Sequence, residues 1–101
     1  MIVHLALAGG EMGSPDERAT IMKLQDEVSA AIDSAGVGEF DGDEWGGNEC
    51  VLYMYGEDAD RLFDAVRPVL MKLPPRSGSY AIKRRGDASD PNAKEERVAL
   101  S

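Results

Sequence analysis

The residues able to do chemistry are few and widely spaced in this chain of 101 residues. His4 is the only histidine. It sits in an apolar run, residues 2–8, that alternates like a strand: Val3, Leu5 and Leu7 on one side, His4, Ala6 and Ala8 on the other. An imidazole there serves as a general base only if a neighbouring strand brings it a carboxylate; otherwise it is a packing or contact residue. Cys50 is the only cysteine and also lies in an apolar run, so it reads as a small buried hydrophobe, not a reactive thiol or half of a disulfide. Asp41, Asp43, Glu44, Asn48 and Glu49 offer hard oxygen ligands of the kind Ca²⁺ or Mg²⁺ takes. The twelve-residue calcium-loop spacing is absent, however, and neighbours in a strand point to opposite faces. Asp43 and Glu44 therefore do not converge on one ion, and the plain reading is an acidic, solvated hairpin. Gly9-Gly10-Glu11-Met12-Gly13-Ser14 stands where phosphate-binding loops stand, between a strand and a helix N-terminus. It lacks both the Lys-Ser/Thr ending and the Gly-x-Gly-x-x-Gly spacing, and Glu11 and Asp16 would repel an anion. No nucleophile elbow or Ser-His-Asp spacing is present. No metal or other cofactor is expected.

The elements that must position these residues are legible from periodicity and punctuation. Ser14-Pro15-Asp16-Glu17 is a capping box with proline at the first helical position. Ile21, Leu24, Val28, Ala31, Ile32 and Ala35 follow as a helical stripe, and Gly36 stops it. Residues 37–45 and 49–55 read as strands joined through Gly46-Gly47-Asn48. A second helix over residues 59–72 carries Ala59, Leu62, Phe63, Val66, Leu70 and Leu73, with Pro68 expected to loosen it and Pro74-Pro75 to end it. Residues 79–85 read as a last strand. The remainder, 87–101, is expected to be a mobile charged tail with at most one frayed turn of helix.

This order, βαββαβ over residues 1–86, is the ferredoxin-like split βαβ arrangement: α+β, a four-stranded antiparallel sheet in the order 4-1-3-2, two helices on one face and the other face open. Val3, Leu5, Leu7, Tyr80 and Ile82 are expected to face the helices, as are Cys50, Leu52 and Met54. His4, Tyr53, Tyr55, Lys83 and Arg85 are expected on the open face. Trp45 is expected to fold onto the end of the sheet.

Net charge is −8, but it is unevenly spread. Residues 1–60 hold two basic and fourteen acidic side chains, a balance of −12, and residues 61–101 hold nine and five, a balance of +4. In the 4-1-3-2 order the acidic hairpin and Lys83-Arg84-Arg85 fall on opposite edges. Charged edges block edge-to-edge aggregation; alternatively, unlike edges could meet in a homodimer. Tyr53 and Tyr55 beside a basic strand have ingredients of an RNA-stacking sheet, but the aromatic motif of that class is missing and the charge is wrong, so neither nucleic acid nor membrane is an expected partner. The apolar run 2–8 is too short for a span and has no basic residues before it, which makes the cytoplasm the expected compartment.

The runs Gly38-Glu39-Phe40-Asp41-Gly42-Asp43-Glu44 and Tyr53-Met54-Tyr55-Gly56-Glu57-Asp58-Ala59-Asp60-Arg61-Leu62, with a strand ending Arg85-Gly86, resemble a group of small uncharacterised bacterial proteins. That resemblance implies no activity and no catalytic residues. In topology alone the chain is also similar to small-molecule-sensing ACT domains and to dimeric α+β barrels, and fold does not fix function. The sequence thus points to a non-enzymatic protein-interaction or regulatory domain that uses its open sheet face and its acidic hairpin. Its contact candidates are His4, Asp41, Asp43, Trp45, Tyr53, Tyr55, Lys83 and Arg85, and its partner is another protein or a second copy. A small-molecule-binding domain or small enzyme with a pocket on the open face, lined by His4, Tyr53, Tyr55 and Arg85, is the alternative.

Overall fold

A computed structural model describes residues 1–72, 75–85 and 94–100, with the side chain of Arg85 left out. The elements are β1 (Ile2–Ala6), α1 (Pro15–Ala35), β2 (Glu39–Gly46), β3 (Glu49–Tyr55), α2 (Ala59–Leu70), β4 (Tyr80–Arg85) and β5 (Lys94–Ala99). They form an α+β structure with two helices on one face of an antiparallel sheet. The strand order is β2-β3-β1-β4-β5, so among the described residues the sheet has five strands where four were expected, with β1 in the middle.

Local chemistry accounts for most of the boundaries. The Ser14 side chain accepts from Glu17 N (3.1 Å) and Glu17 Oε1 accepts from Ser14 N (3.0 Å), which completes the capping box. Gly36 closes α1 in the left-handed conformation, φ 63°. Asp58 caps α2 by accepting from the amides of Asp60 and Arg61. Pro68 is accommodated in the last turn, and the helix stops at Leu70, two residues before the expected end. Leu73 and Pro74 lie outside the described residues. The β2–β3 hairpin closes on Gly47 and Asn48, both at φ near +60°, the two-residue turn whose twist matches the strands.

Leu24, Val28 and Ile32 from α1 and Leu62, Phe63, Val66, Val69 and Leu70 from α2 pack on Val3, Leu5, Cys50, Leu52, Met54 and Ala81 of the sheet. The inward set on β1 and β3 is the expected one. On β4 it is not. Ala81 and Lys83 face the helices, and Tyr80 and Ile82 lie on the open face, paired across β1 with His4 and Ile2. Apolar bulk alone would have turned Tyr80 and Ile82 inward. Instead α2 packs over the small Ala81, and the aliphatic stem of Lys83 lies along Phe63, its ammonium 4.9 Å from the ring centroid, before reaching Asp60 Oδ1 at 2.7 Å. A lysine at the rim of a core can bury its stem and keep its charge paired.

β5 is the second correction. Residues 94–99, expected in a mobile tail, pair antiparallel with all of β4, from Tyr80↔Ala99 to Arg85↔Lys94. Val98 packs against the core and Leu100 is buried within it. The basic run on β4 is therefore not an edge. Glu95 stands opposite Arg84, 3.2 Å from its Nη1, and Glu96 opposite Lys83. Residues 86–93 and 101 lie outside the described residues. Among the described residues, no helix is long and apolar enough to cross a membrane.

Candidate functional site

The open face of the sheet is where side chains with chemical capacity gather. It is assembled row by row across the strands. One row runs Glu44, Val51, His4, Tyr80, Ala99; the next runs Gly42, Tyr53, Ile2, Ile82, Arg97. His4 Nδ1 lies 3.1 Å from Glu49 Oε1, placed to donate to it. The other side of the imidazole stacks on Tyr80, with ring centroids 4.5 Å apart and planes 14° from parallel. The Arg97 guanidinium covers the same tyrosine, 3.7 Å from its centroid. Carboxylate, imidazole, phenol ring and guanidinium thus form a continuous ladder from β3 to β5 across β1 and β4. Cation–π and stacked contacts of this kind hold exposed rings in one orientation.

A bulge shapes the acidic side of this face. Strand pairing shifts between Phe40 and Gly42, leaving Asp41 as the extra, exposed residue. Phe40 stands opposite Met54, Asp43 opposite Leu52 and Trp45 opposite Cys50, all on the helix side. Without the extra residue, Glu44 would share the inward side with Phe40. With it, Glu44 turns outward and accepts a hydrogen bond from the Tyr53 hydroxyl (3.1 Å). That bond to a carboxylate, with lesser contributions from partial burial and nearby charge, raises the Tyr53 pKa above its ordinary value.

The candidates singled out from sequence divide accordingly. His4, Tyr53 and the exposed Tyr55 are on the open face as expected. Asp43 points the other way and accepts from Gln25 Nε2 (2.7 Å) and Trp45 Nε1 (2.9 Å), which pins the half-buried Trp45 to the sheet beside α1. Asp43 and Glu44 do lie on opposite faces, and among the described residues no cluster of His, Cys, Asp or Glu is arranged to hold a metal. Lys83, expected on the open face, is 9% exposed under α2 and is not a surface contact. The side chain of Arg85, also expected on the open face, lies outside what the structure describes. The cations placed on the open face among the described residues are Arg84 and Arg97. Glu49 was named only as an oxygen ligand, and Tyr80 and Arg97 were not contact candidates; the Val98, Leu100 alternation marks β5, whose pairing with β4 brings Arg97 over Tyr80.

Two other features are self-satisfied. The glycine loop does bind a carboxylate at the start of α1, but that carboxylate is Glu17, which accepts from the amides of Ala8 (2.7 Å), Gly9 (2.6 Å) and Ser14 (3.0 Å). These bonds, that of Ala8 first, hold the Glu17 pKa below its ordinary value. A side chain on Gly9 would collide with the Ser14 amide and with Glu17. Cys50 is fully buried, and burial, with the Asp43 and Glu49 charges adding to it, pushes its pKa up to about 12, so the thiolate form is suppressed.

Beside the ladder lies a cleft of about 1100 Å³ lined by Ile2, Tyr53, Tyr55, Arg61, Ile82 and Arg84 among others. It brings together the two tyrosines expected to line a pocket, but not His4. No protein-family model, curated protein or solved structure matches this chain.

Proposed function

We propose that this chain is a non-enzymatic cytoplasmic interaction domain that works through its open sheet face, and that its first four strands and two helices are a ferredoxin-like unit extended by β5. The spatial order β2-β3-β1-β4 is 4-1-3-2 read from the other edge, which supports the assignment of the unit. The observation that carries the functional reading is the Glu49–His4–Tyr80–Arg97 ladder. It presents aromatic and apolar groups at the centre of the face, with charges at both sides, and it orders these side chains before any partner arrives. Preordered side chains lose less entropy on binding, and aromatic and arginine groups are the residues on which interfaces most depend.

A photoreactive residue placed at Tyr55 on this face, with Met22 on α1 as control position, tests the reading. Both side chains are well exposed, at 58% and 61%. In cells expressing the protein, adducts to a protein are expected from position 55 and not from position 22. Equal labelling at the two positions, or none at 55, overturns the reading.

The cleft supports a second reading, a small-molecule binder or small enzyme. A ligand that raises the Tm of the natural chain and not that of Tyr53→Ala would favour it.

A further inference from the structure

Resting on the open face as the contact surface, we infer that its occupant is a second copy of this chain, related by a two-fold axis running along β1 between two facing sheets. The argument begins with where the charges lie. On one side of β1 the open face carries Glu39 and Glu44 on β2 and Glu49 on β3. On the other side it carries Arg84 on β4 and Arg97 on β5, with Glu95 held by Arg84. Between them is an apolar belt: Val51 and Tyr53 on β3, Ile2 on β1, Tyr80 and Ile82 on β4. β1 is the middle strand of five, so the face has an acidic half and a basic half of equal width about a central line.

A rotation about that line lays β2 over β5 of the second copy, β3 over β4, and β1 over itself. Acidic half then meets basic half twice, as an isologous interface requires, with Glu39 falling opposite Glu95, whose charge Arg84 holds. In the two central rows the apolar positions also match in kind, and His4 comes opposite its own copy. Tyr53 comes opposite Ile82, Val51 opposite Tyr80, and Ile2 opposite its own copy. Arg97 comes opposite Gly42, which has no side chain, with Glu44 two residues along the strand, roughly 7 Å away and within reach of an arginine. The perpendicular two-fold, by contrast, lays β2 on β2 and β5 on β5, placing like charges together. Five strands at about 4.8 Å and about six residues at 3.3 Å give a face of roughly 24 by 20 Å. That is a flat area of about 480 Å², which side-chain relief enlarges toward the ~800 Å² per partner of a standard interface.

Sedimentation velocity on the purified chain and on two exposed-site variants, Arg97→Glu and Glu44→Arg, decides this. The natural chain is expected to be a dimer, and each variant alone to dissociate at least about tenfold more readily. An equimolar mixture of the two variants is expected to recover the dimer, because each mixed contact again pairs opposite charges. Thermal melts of the variants within a few degrees of the natural chain show that each is folded. A natural chain that stays monomeric at roughly 1 mM overturns the inference. So does a mixture that fails to recover association, since the two copies then meet in another geometry. If the chain is monomeric while position 55 still labels a protein of a different mass, the contact surface stands and only self-pairing falls. If position 55 labels nothing either, both fall.

Discussion

β3 and β4 flank the same strand, yet they divide their side chains between the two faces on opposite principles. β3 sends Cys50, Leu52 and Met54 under the helices and leaves the hydroxyl-bearing Tyr53 and Tyr55 outside, so polarity accounts for the direction. β4 puts its bulk outside, Tyr80 and Ile82, and its small and charged residues inside, Ala81 and Lys83. The helices explain the difference. Over β3 there is room for three full side chains to enter the core. Over β4, α2 leaves room for a methyl group at Ala81, while a lysine stem finds Phe63 beside it and Asp60 at the end of its reach. The facing of a strand is thus set by what lies above it, and hydrophobicity decides only when the space above is neutral.

This contrast can be attacked directly. The largest expected effect is Leu52→Ala, which opens a cavity in the core and should cost about 2–5 kcal/mol in urea unfolding, whereas Ile82→Ala on the open face should cost under about 1 kcal/mol. Similar costs for the two would mean that β4 is buried as deeply as β3. Next, Ala81→Leu should destabilise by roughly 1–3 kcal/mol through crowding against α2, although it adds apolar bulk. A neutral or stabilising result would show unused space under the helix. Smaller again, Lys83→Ala should lose roughly 1 kcal/mol, mostly stem packing, while Lys83→Met keeps the stem and should stay within about 0.5 kcal/mol of the natural chain. If Met is as costly as Ala, the ion pair matters more than the packing. The smallest change concerns the open-face tyrosine of β3. Its hydroxyl donates to Glu44, which raises its pKa, so Glu44→Gln should make Tyr53 deprotonate at lower pH in a tyrosinate absorbance titration. An unmoved titration would show that the bond is not maintained in solution.

These two strands also mark where sequence reading succeeds and where it stops. The caps at Ser14 and Gly36, the Gly47-Asn48 turn and the facing of β1 and β3 all follow from local residue chemistry, and all are present. β5 was missed because Lys94, Glu95, Glu96 and Arg97 show no apolar alternation, and the two residues that do, Val98 and Leu100, come at its end. Its pairing is ionic and across strands: two glutamates opposite Lys83 and Arg84. Such complementarity has no period within one segment. The same omission turned β4 into an edge and Lys83 into a surface residue. At the candidate site, His4 and Tyr53 were legible, but their partners were not, because Glu49, Tyr80 and Arg97 reach them only through register.

The placement of β1 at the centre of the sheet has a consequence for how the chain is made. Its partners are residues 49–53 on one side and 80–82 on the other. At ordinary translation speeds, 5–20 residues per second, roughly 4–16 s separate the synthesis of Ile2 from that of Ile82. Throughout that interval a largely apolar strand, β1, has at least one bare edge. Folding must therefore wait on long-range closure, and the nascent chain is at its most vulnerable to wrong pairing just before its last two strands appear.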